Sequence, residues 1–285
     1  MKPNPAMRDA ATAPESLPLG PGVRVLAAHA TGLLALGKPA GVLSHPNGPG
    51  VPANALLRAE YDADAECYRF AGPDGAQRRV WLLNRLDSPT SGVVLVATDG
   101  ALAAHIKALF ARREIDKVYH AVVKGARLIP DRGVWRDALR KSGGGGDARF
   151  VRASAGAGGA PAESHYRWER GNRTLPALSL LRLEPKTGRT HQLRIQCALH
   201  AHPILGDKTY GDFPLNKTLA ARDARFDRLF LHCSRTAFRY EWAGATHDFL
   251  AESPAPEEFA AVLGGDAPAR PVSDRLNIRL RPGRR

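Results

Sequence analysis

The chain has 285 residues, 44% of them hydrophobic, with 41 Lys and Arg against 28 Asp and Glu, a net charge of +13. That length suits one substantial domain with irregular ends, and no run of about 18 apolar residues is present to span a membrane as a helix. The charge points to a polyanionic partner, because surface cations release counterions from a nucleic acid on binding; three widely spaced cysteines without a CxxC pair argue against a disulfide framework or zinc knuckle and fit a reducing cytoplasm.

Residues 1–22 hold several prolines and no long apolar stretch, so a disordered segment is expected there and not a secretory leader. The fold is expected to start at Val23, and Leu33 to Leu36 followed by Lys38-Pro39-Ala40-Gly41 reads as a strand running into a turn. Trp81 to Leu86 and Val93 to Ala97 read as buried strands with a polar segment between them, which puts Asp87 on a loop. Asp99 is placed to cap a helix whose Leu102, Ile106, Leu109 and Phe110 recur at spacings of three and four, with Lys107, Arg112 and Arg113 on the other face.

Val118 to Val123 reads as a strand that includes Tyr119. Residues 142–161 carry four consecutive glycines and many alanines, a composition that holds no core; a mobile insertion within the domain is expected. Tyr166 to Trp168 and Leu178 to Leu183 are further strands, and Thr190 to Leu199 reads as a helix with Leu193 and Cys197 turned inward. Leu229 to Phe238 and Trp242 to Leu250 supply late strands, Pro254 to Leu263 a short helix, and 265–285 an arginine-rich tail. The catalytic domain is thus expected over 23–264.

Three segments carry chemistry. In Asn84-Arg85-Leu86-Asp87-Ser88-Pro89-Thr90-Ser91-Gly92, a carboxylate on a tight loop can serve as nucleophile or base, held by local hydroxyls and amides. In Lys117-Val118-Tyr119, the phenol can stack on a base, move a proton, or simply pack in a core. Thr187-Gly188-Arg189-Thr190-His191-Gln192-Leu193-Arg194 offers free helix-start amides beside Arg189, suited to a phosphate or to a catalytic carboxylate; the spacing is not that of a P-loop.

Together these segments resemble the RluA-type pseudouridine synthase family. Its His-Arg-Leu-Asp-x-x-Thr-Ser-Gly segment is matched at Arg85, Leu86, Asp87, Thr90, Ser91 and Gly92, with Asn84 where the family usually has His. Its Lys-x-Tyr strand is matched by Lys117 and Tyr119, and its Thr-Gly-Arg-x-His-Gln-Leu-Arg segment by Thr187 to Arg194. Lys38 to Gly41 and His202-Pro203-Ile204-Leu205-Gly206-Asp207 are similar to its opening turn and to the stretch after its arginine motif.

The resemblance implies an α+β pseudouridine synthase fold, with a mainly antiparallel central sheet flanked by helices and loops. It implies isomerisation of uridine to pseudouridine in structured RNA, ribosomal or transfer, without cofactor or metal. Asp87 is then the catalytic carboxylate, Arg189 the cation beside it and Tyr119 the residue against the uracil. Arg85, Thr90, His191, Gln192, Leu193 and Arg194 are expected to bind substrate, and the enzyme to be a cytoplasmic monomer. Two alternatives stay open: a non-catalytic RNA-binding or ribosome-assembly factor that keeps the fold, and a metal-dependent hydrolase using His191, His200, His202, His232 and Cys233, which lack a ligand spacing such as HExxH.

Overall fold

A computed structural model describes residues 14–46, 48, 50–142, 152–155, 158–172 and 174–264. The expected disorder over 1–13, the glycine run of the insertion and the arginine-rich tail lie outside the described residues. In chain order, β1 (Arg24–Ala28) and β2 (Leu33–Lys38) precede β3 (Glu60–Asp62), β4 (Cys67–Ala71) and β5 (Gln77–Leu82). Strand β6 (Ser91–Ala97) runs into α1 (Gly100–Arg112), followed by β7 (Asp116–Lys124), β8 (Arg132–Ser142), β9 (Arg152–Ala155), β10 (Ala160–Gly171) and β11 (Leu178–Pro185). Helices α2 (Gln192–Leu199) and α3 (Phe213–Arg222) lead to β12 (Leu231–Trp242), β13 (Ala245–Glu252) and α4 (Glu257–Val262).

All thirteen described strands belong to one sheet, whose main path is β3-β4-β5-β6-β12-β7-β11-β10-β8-β9. At its middle β6 runs parallel to β12, with Ser91 opposite His232 and Gly92 opposite Cys233. The sheet is therefore mixed, which corrects the expectation of a mainly antiparallel one: the chain leaves β6 and returns only after a long excursion to insert β12 between β6 and β7. Gly92 is needed at this seam. Its φ is +117°, and a Cβ there would stand 2.1 Å from the Cys233 carbonyl oxygen.

Every residue of β2 and of β6 is buried, so both read as continuous apolar runs, as central strands covered on two faces do. Strand β2 occupies one edge of β6 over its length. The opposite edge is shared, with β5 on Val96 and Ala97 and β12 on Ser91 and Gly92. Between these two partners the loop 83–90 emerges. Helix α1 buries Leu102, Ala103, Ile106 and Leu109, and the Asp99 carboxylate accepts from the Leu102 amide at 2.7 Å, as the pattern predicts.

Several boundaries differ from the sequence reading for physical reasons. Packing begins before Val23: Leu17 is buried and Leu19 bridges Leu57. Helix α2 starts at Gln192 because His191 before it has φ +53°. Helix α3 carries no apolar stripe and buries only Leu219, so periodicity does not reveal it. Over the expected insertion, β8 and β9 pair from Leu139 opposite Ala155 to Ser142 opposite Arg152, so its described flanks are strand.

Candidate active site

The loop that carries Asp87 is held from three sides. At its start the Leu83 amide donates to the Leu95 carbonyl at 3.0 Å, and the Asn84 Oδ1 accepts from the Leu95 amide at 2.7 Å. The Asn84 side chain thus takes the place of one more β5 backbone pairing, which ends the expected strand before Leu86. In the middle, the Ser44 hydroxyl accepts from the Leu86 amide at 3.1 Å and donates to the Leu86 carbonyl at 2.8 Å. At the far side the Gly41 amide donates to the Ser88 carbonyl at 2.8 Å, and the Thr90 amide closes a turn on the Asp87 carbonyl at 2.9 Å.

Lys38 fastens the same loop from below. Its buried ammonium donates to the carbonyls of Pro39, Val42 and Ser88 at 3.0, 2.7 and 2.9 Å. Burial pushes its pKa down to about 7, against the pull of Asp87 and with the push of Arg228. Three carbonyl acceptors need three N–H donors, so this geometry is that of the charged form.

The cation beside Asp87 is Arg194, not Arg189. Nη1 of Arg194 donates to Asp87 Oδ2 at 3.2 Å, whereas Nε of Arg189 donates to the Pro161 carbonyl at 3.2 Å, on the cleft rim. The helical turn decides this: α2 presents Arg194 inward, and it is 7% exposed. Its Nε and Nη2 bind Asp207 Oδ2 and Oδ1 at 2.7 and 2.8 Å. Burial alone would lower the Arg194 pKa, but Asp207 and then Asp87 raise it above the usual value.

Asp207 is itself pinned by the amides of Thr209 and Tyr210 at 2.8 and 3.0 Å. Burial tends to raise its pKa; Arg194 and these amides prevail and lower it. Sequence reading placed Asp207 inside a matching segment without giving it a role, and Gly206-Asp207 beside Tyr210 was the available signal.

The remaining expected site residues divide. His191 reaches Asp87 at 3.7 Å through Nε2, with Nδ1 3.0 Å from the Tyr210 hydroxyl; burial lowers its pKa, Asp87 opposing. Leu193, largely buried, and Thr90 also line the cleft. Gln192 belongs to the framework: its Oε1 accepts from the Thr187 hydroxyl at 2.7 Å and the Arg189 amide at 3.0 Å, and its Nε2 donates to the Glu163 carbonyl and the Ser164 hydroxyl. Such an amide has little capacity left for a ligand.

The Arg85 guanidinium is engaged with His45, with Nη1 3.1 Å from His45 Nε2, and both residues line the cleft. His45 Nδ1 meets the Pro46 carbonyl at 2.9 Å, so the neutral ring with hydrogen on Nδ1 satisfies both contacts. Tyr119, on β7 opposite Cys233, is 9% exposed and forms part of the cleft wall. Burial first, then the neighbouring Cys233, raises its pKa well above the ordinary value, so the phenol holds its proton.

These groups face one open cleft of about 3310 Å³. Among the described residues, no group of three or more His, Cys, Asp or Glu is placed to hold a metal ion, and no helix is long and apolar enough to cross a membrane.

A family model described as RNA pseudouridylate synthase matches residues 32–199. The chain is 32% identical over 216 residues to the tRNA pseudouridine synthase C of Vibrio cholerae, covering 74% of this chain and 83% of that one. It is 30% identical over 231 residues to the ribosomal large subunit pseudouridine synthase D of Zymomonas mobilis, covering 78% and 67%. In fold it resembles the human RNA Pseudouridylate Synthase Domain Containing 4, with a TM-score of 0.58 at 22% identity, covering 88% of this chain and 94% of the other.

Proposed function

The chain belongs to the RNA pseudouridylate synthase family, and from that premise we propose that it isomerises a uridine of transfer or ribosomal RNA to pseudouridine with Asp87 as the catalytic carboxylate. The observation that carries this reading is the Asp87–Arg194–Asp207 constellation facing the cleft. Transfer RNA is the first substrate to test, because the relative from Vibrio cholerae acts by its name on tRNA.

In the reaction the C1′–N1 bond breaks, the uracil turns within the site, and a C1′–C5 bond forms; C5 loses a proton and N1 gains one. The exchange is redox-neutral. Asp87 serves it by one of two routes, attack on the sugar or base or removal of the ribose 2′ proton, and Arg194 places a fixed positive charge beside the carboxylate in either. Tyr119, which keeps its proton, packs against the turning uracil in place of acting as a base in the resting site. Asp87 is 29% exposed and recessed among loop, helix and strand, so a stacked uridine must leave its helix to reach it. Arg85 and Arg189, which line the cleft, suit the phosphates of the opened strand.

The test is pseudouridine mapping of tRNA and ribosomal RNA from cells with and without the gene, and with Asp87→Asn in its place. Loss of one site in both mutants is expected. A site that stays fully modified with Asp87→Asn refutes the assignment of the carboxylate.

A further inference from the structure

Phe213, the first residue of α3, exposes 56% of its surface, a large amount for an aromatic ring. It stands on the wall of the Asp87 cleft and also on that of a smaller hollow of about 440 Å³, shared with Lys208, Asn216, Lys217 and Phe226. A single exposed apolar side chain is ordinary. What sets this ring apart is its mounting.

The start of α3 is tied to the catalytic constellation by consecutive hydrogen bonds. Asn216 Oδ1 accepts from the Gly206 amide at 2.8 Å, and its Nδ2 donates to the Asp207 carbonyl at 3.1 Å. Asp207 in turn holds Arg194, and Arg194 holds Asp87. On the other side, Asp212 caps the Leu215 amide at 3.0 Å and pairs with Lys124. The loop leading in is packed tightly, since a Cβ on Gly211 would sit 2.3 Å from the Asp207 carbonyl oxygen. The backbone that carries the ring is thus held at a fixed offset from the carboxylate, which lowers the cost of ordering a stack on it.

We propose that Phe213 is a stacking platform for an unpaired RNA base next to the target uridine, with Lys208 and Lys217 meeting the adjoining phosphates. This rests on the RNA substrate proposed above. The occupant follows from three features of the surface: it continues into the Asp87 cleft, it offers a flat apolar face, and cations flank it. A π-face in a positively charged groove binds single-stranded bases without demanding their identity. Lys208 pairs with Asp227 at 2.9 Å, both well exposed, a pair weak enough for a phosphate to displace. The target base itself belongs deeper, against Tyr119.

The experiment measures binding of fluorescein-labelled dodecauridylate and of bulk tRNA to the full chain by anisotropy across a salt series. Phe213→Ala should weaken dodecauridylate binding about 10-fold with an unchanged salt slope, and Phe213→Trp should restore it. Lys208→Ala should instead flatten the slope by about 0.7 for a single strand. For conversion of tRNA, the Phe213→Ala loss should fall on KM more than on kcat.

An unchanged melting temperature checks that Phe213→Ala folds. Affinity within twofold of wild type, failure of Trp to restore it, or no wild-type binding of either RNA overturns the platform. A protein that binds through Phe213 yet converts no uridine supports the platform and refutes the synthase reading, so the two failures are distinct.

Discussion

Asp87 and Asp207 grip different edges of one guanidinium, with Arg194 Nη1 on Asp87 at 3.2 Å and Nε and Nη2 on Asp207 at 2.7 and 2.8 Å. The Asp207 side chain is fully buried and that of Asp87 is not, so Asp207 fixes where the arginine stands while Asp87 keeps a face open to the cleft. A buried pair with one partner removed leaves an uncompensated charge.

Asp207→Ala should therefore destabilise the protein by about 3–5 kcal/mol in urea unfolding. Asp207→Asn, which keeps the shape, should fold and lose at least about 10-fold in kcat with little change in RNA affinity. Equal losses in kcat and affinity would show that Asp207 does not act through Arg194.

Arg194→Lys removes the two-edged geometry while keeping a charge, and should lower kcat by about 100-fold or more. Arg189→Ala, on the rim, should cost less than about 10-fold, mostly in RNA affinity. The reverse ranking in steady-state conversion of tRNA would return the role to Arg189.

Asn84→Ala leaves the Leu95 amide without its acceptor and lets the start of the Asp87 loop go. A loss of about 1–3 kcal/mol in thermal or urea unfolding is expected. Asn84→Asp, which retains an acceptor oxygen, should lose less. If the two variants unfold alike, the bond to Leu95 contributes nothing.

Stability should fall in acid through His232. Its Nδ1 lies 2.9 Å from the Ser91 hydroxyl and its Nε2 2.9 Å from the Ser253 carbonyl, and burial, with Ser253 opposing, lowers its pKa to about 4. An unfolded histidine titrates near 6.5, so between about pH 6.5 and 4 the unfolded chain binds the proton that the folded chain refuses. Stability is full above that window and declines by up to about 3 kcal/mol across it. Urea unfolding at several pH values should show His232→Gln losing less than wild type over this range.

The part of the site set by local sequence was readable before the structure. Asp87 lies on a loop, Tyr119 on a strand, and Arg194 on a helix that begins within two residues of its expected start. What could not be read was direction. Arg189 and Arg194 share one segment, and only the left-handed backbone at His191 and the turn of α2 decide which reaches Asp87. Gln192, polar and in a matching motif, looks like a ligand group until its four framework partners are counted. Strands β3 and β4, three and five residues long, and the unstriped α3 are not legible in the sequence because none carries an apolar pattern long enough to show a period.

The placement of β12 between β6 and β7 has a consequence for synthesis on the ribosome. The β12-facing edge of β7 and the Ser91–Gly92 end of β6 are made well before β12 and stay without that partner until Leu231–Trp242 has been translated. Open strand edges of this kind recruit foreign strands. Until β12 is made, the nascent chain therefore carries this open edge beside Asp87, and the loop that bears the carboxylate gains its final surroundings only afterwards.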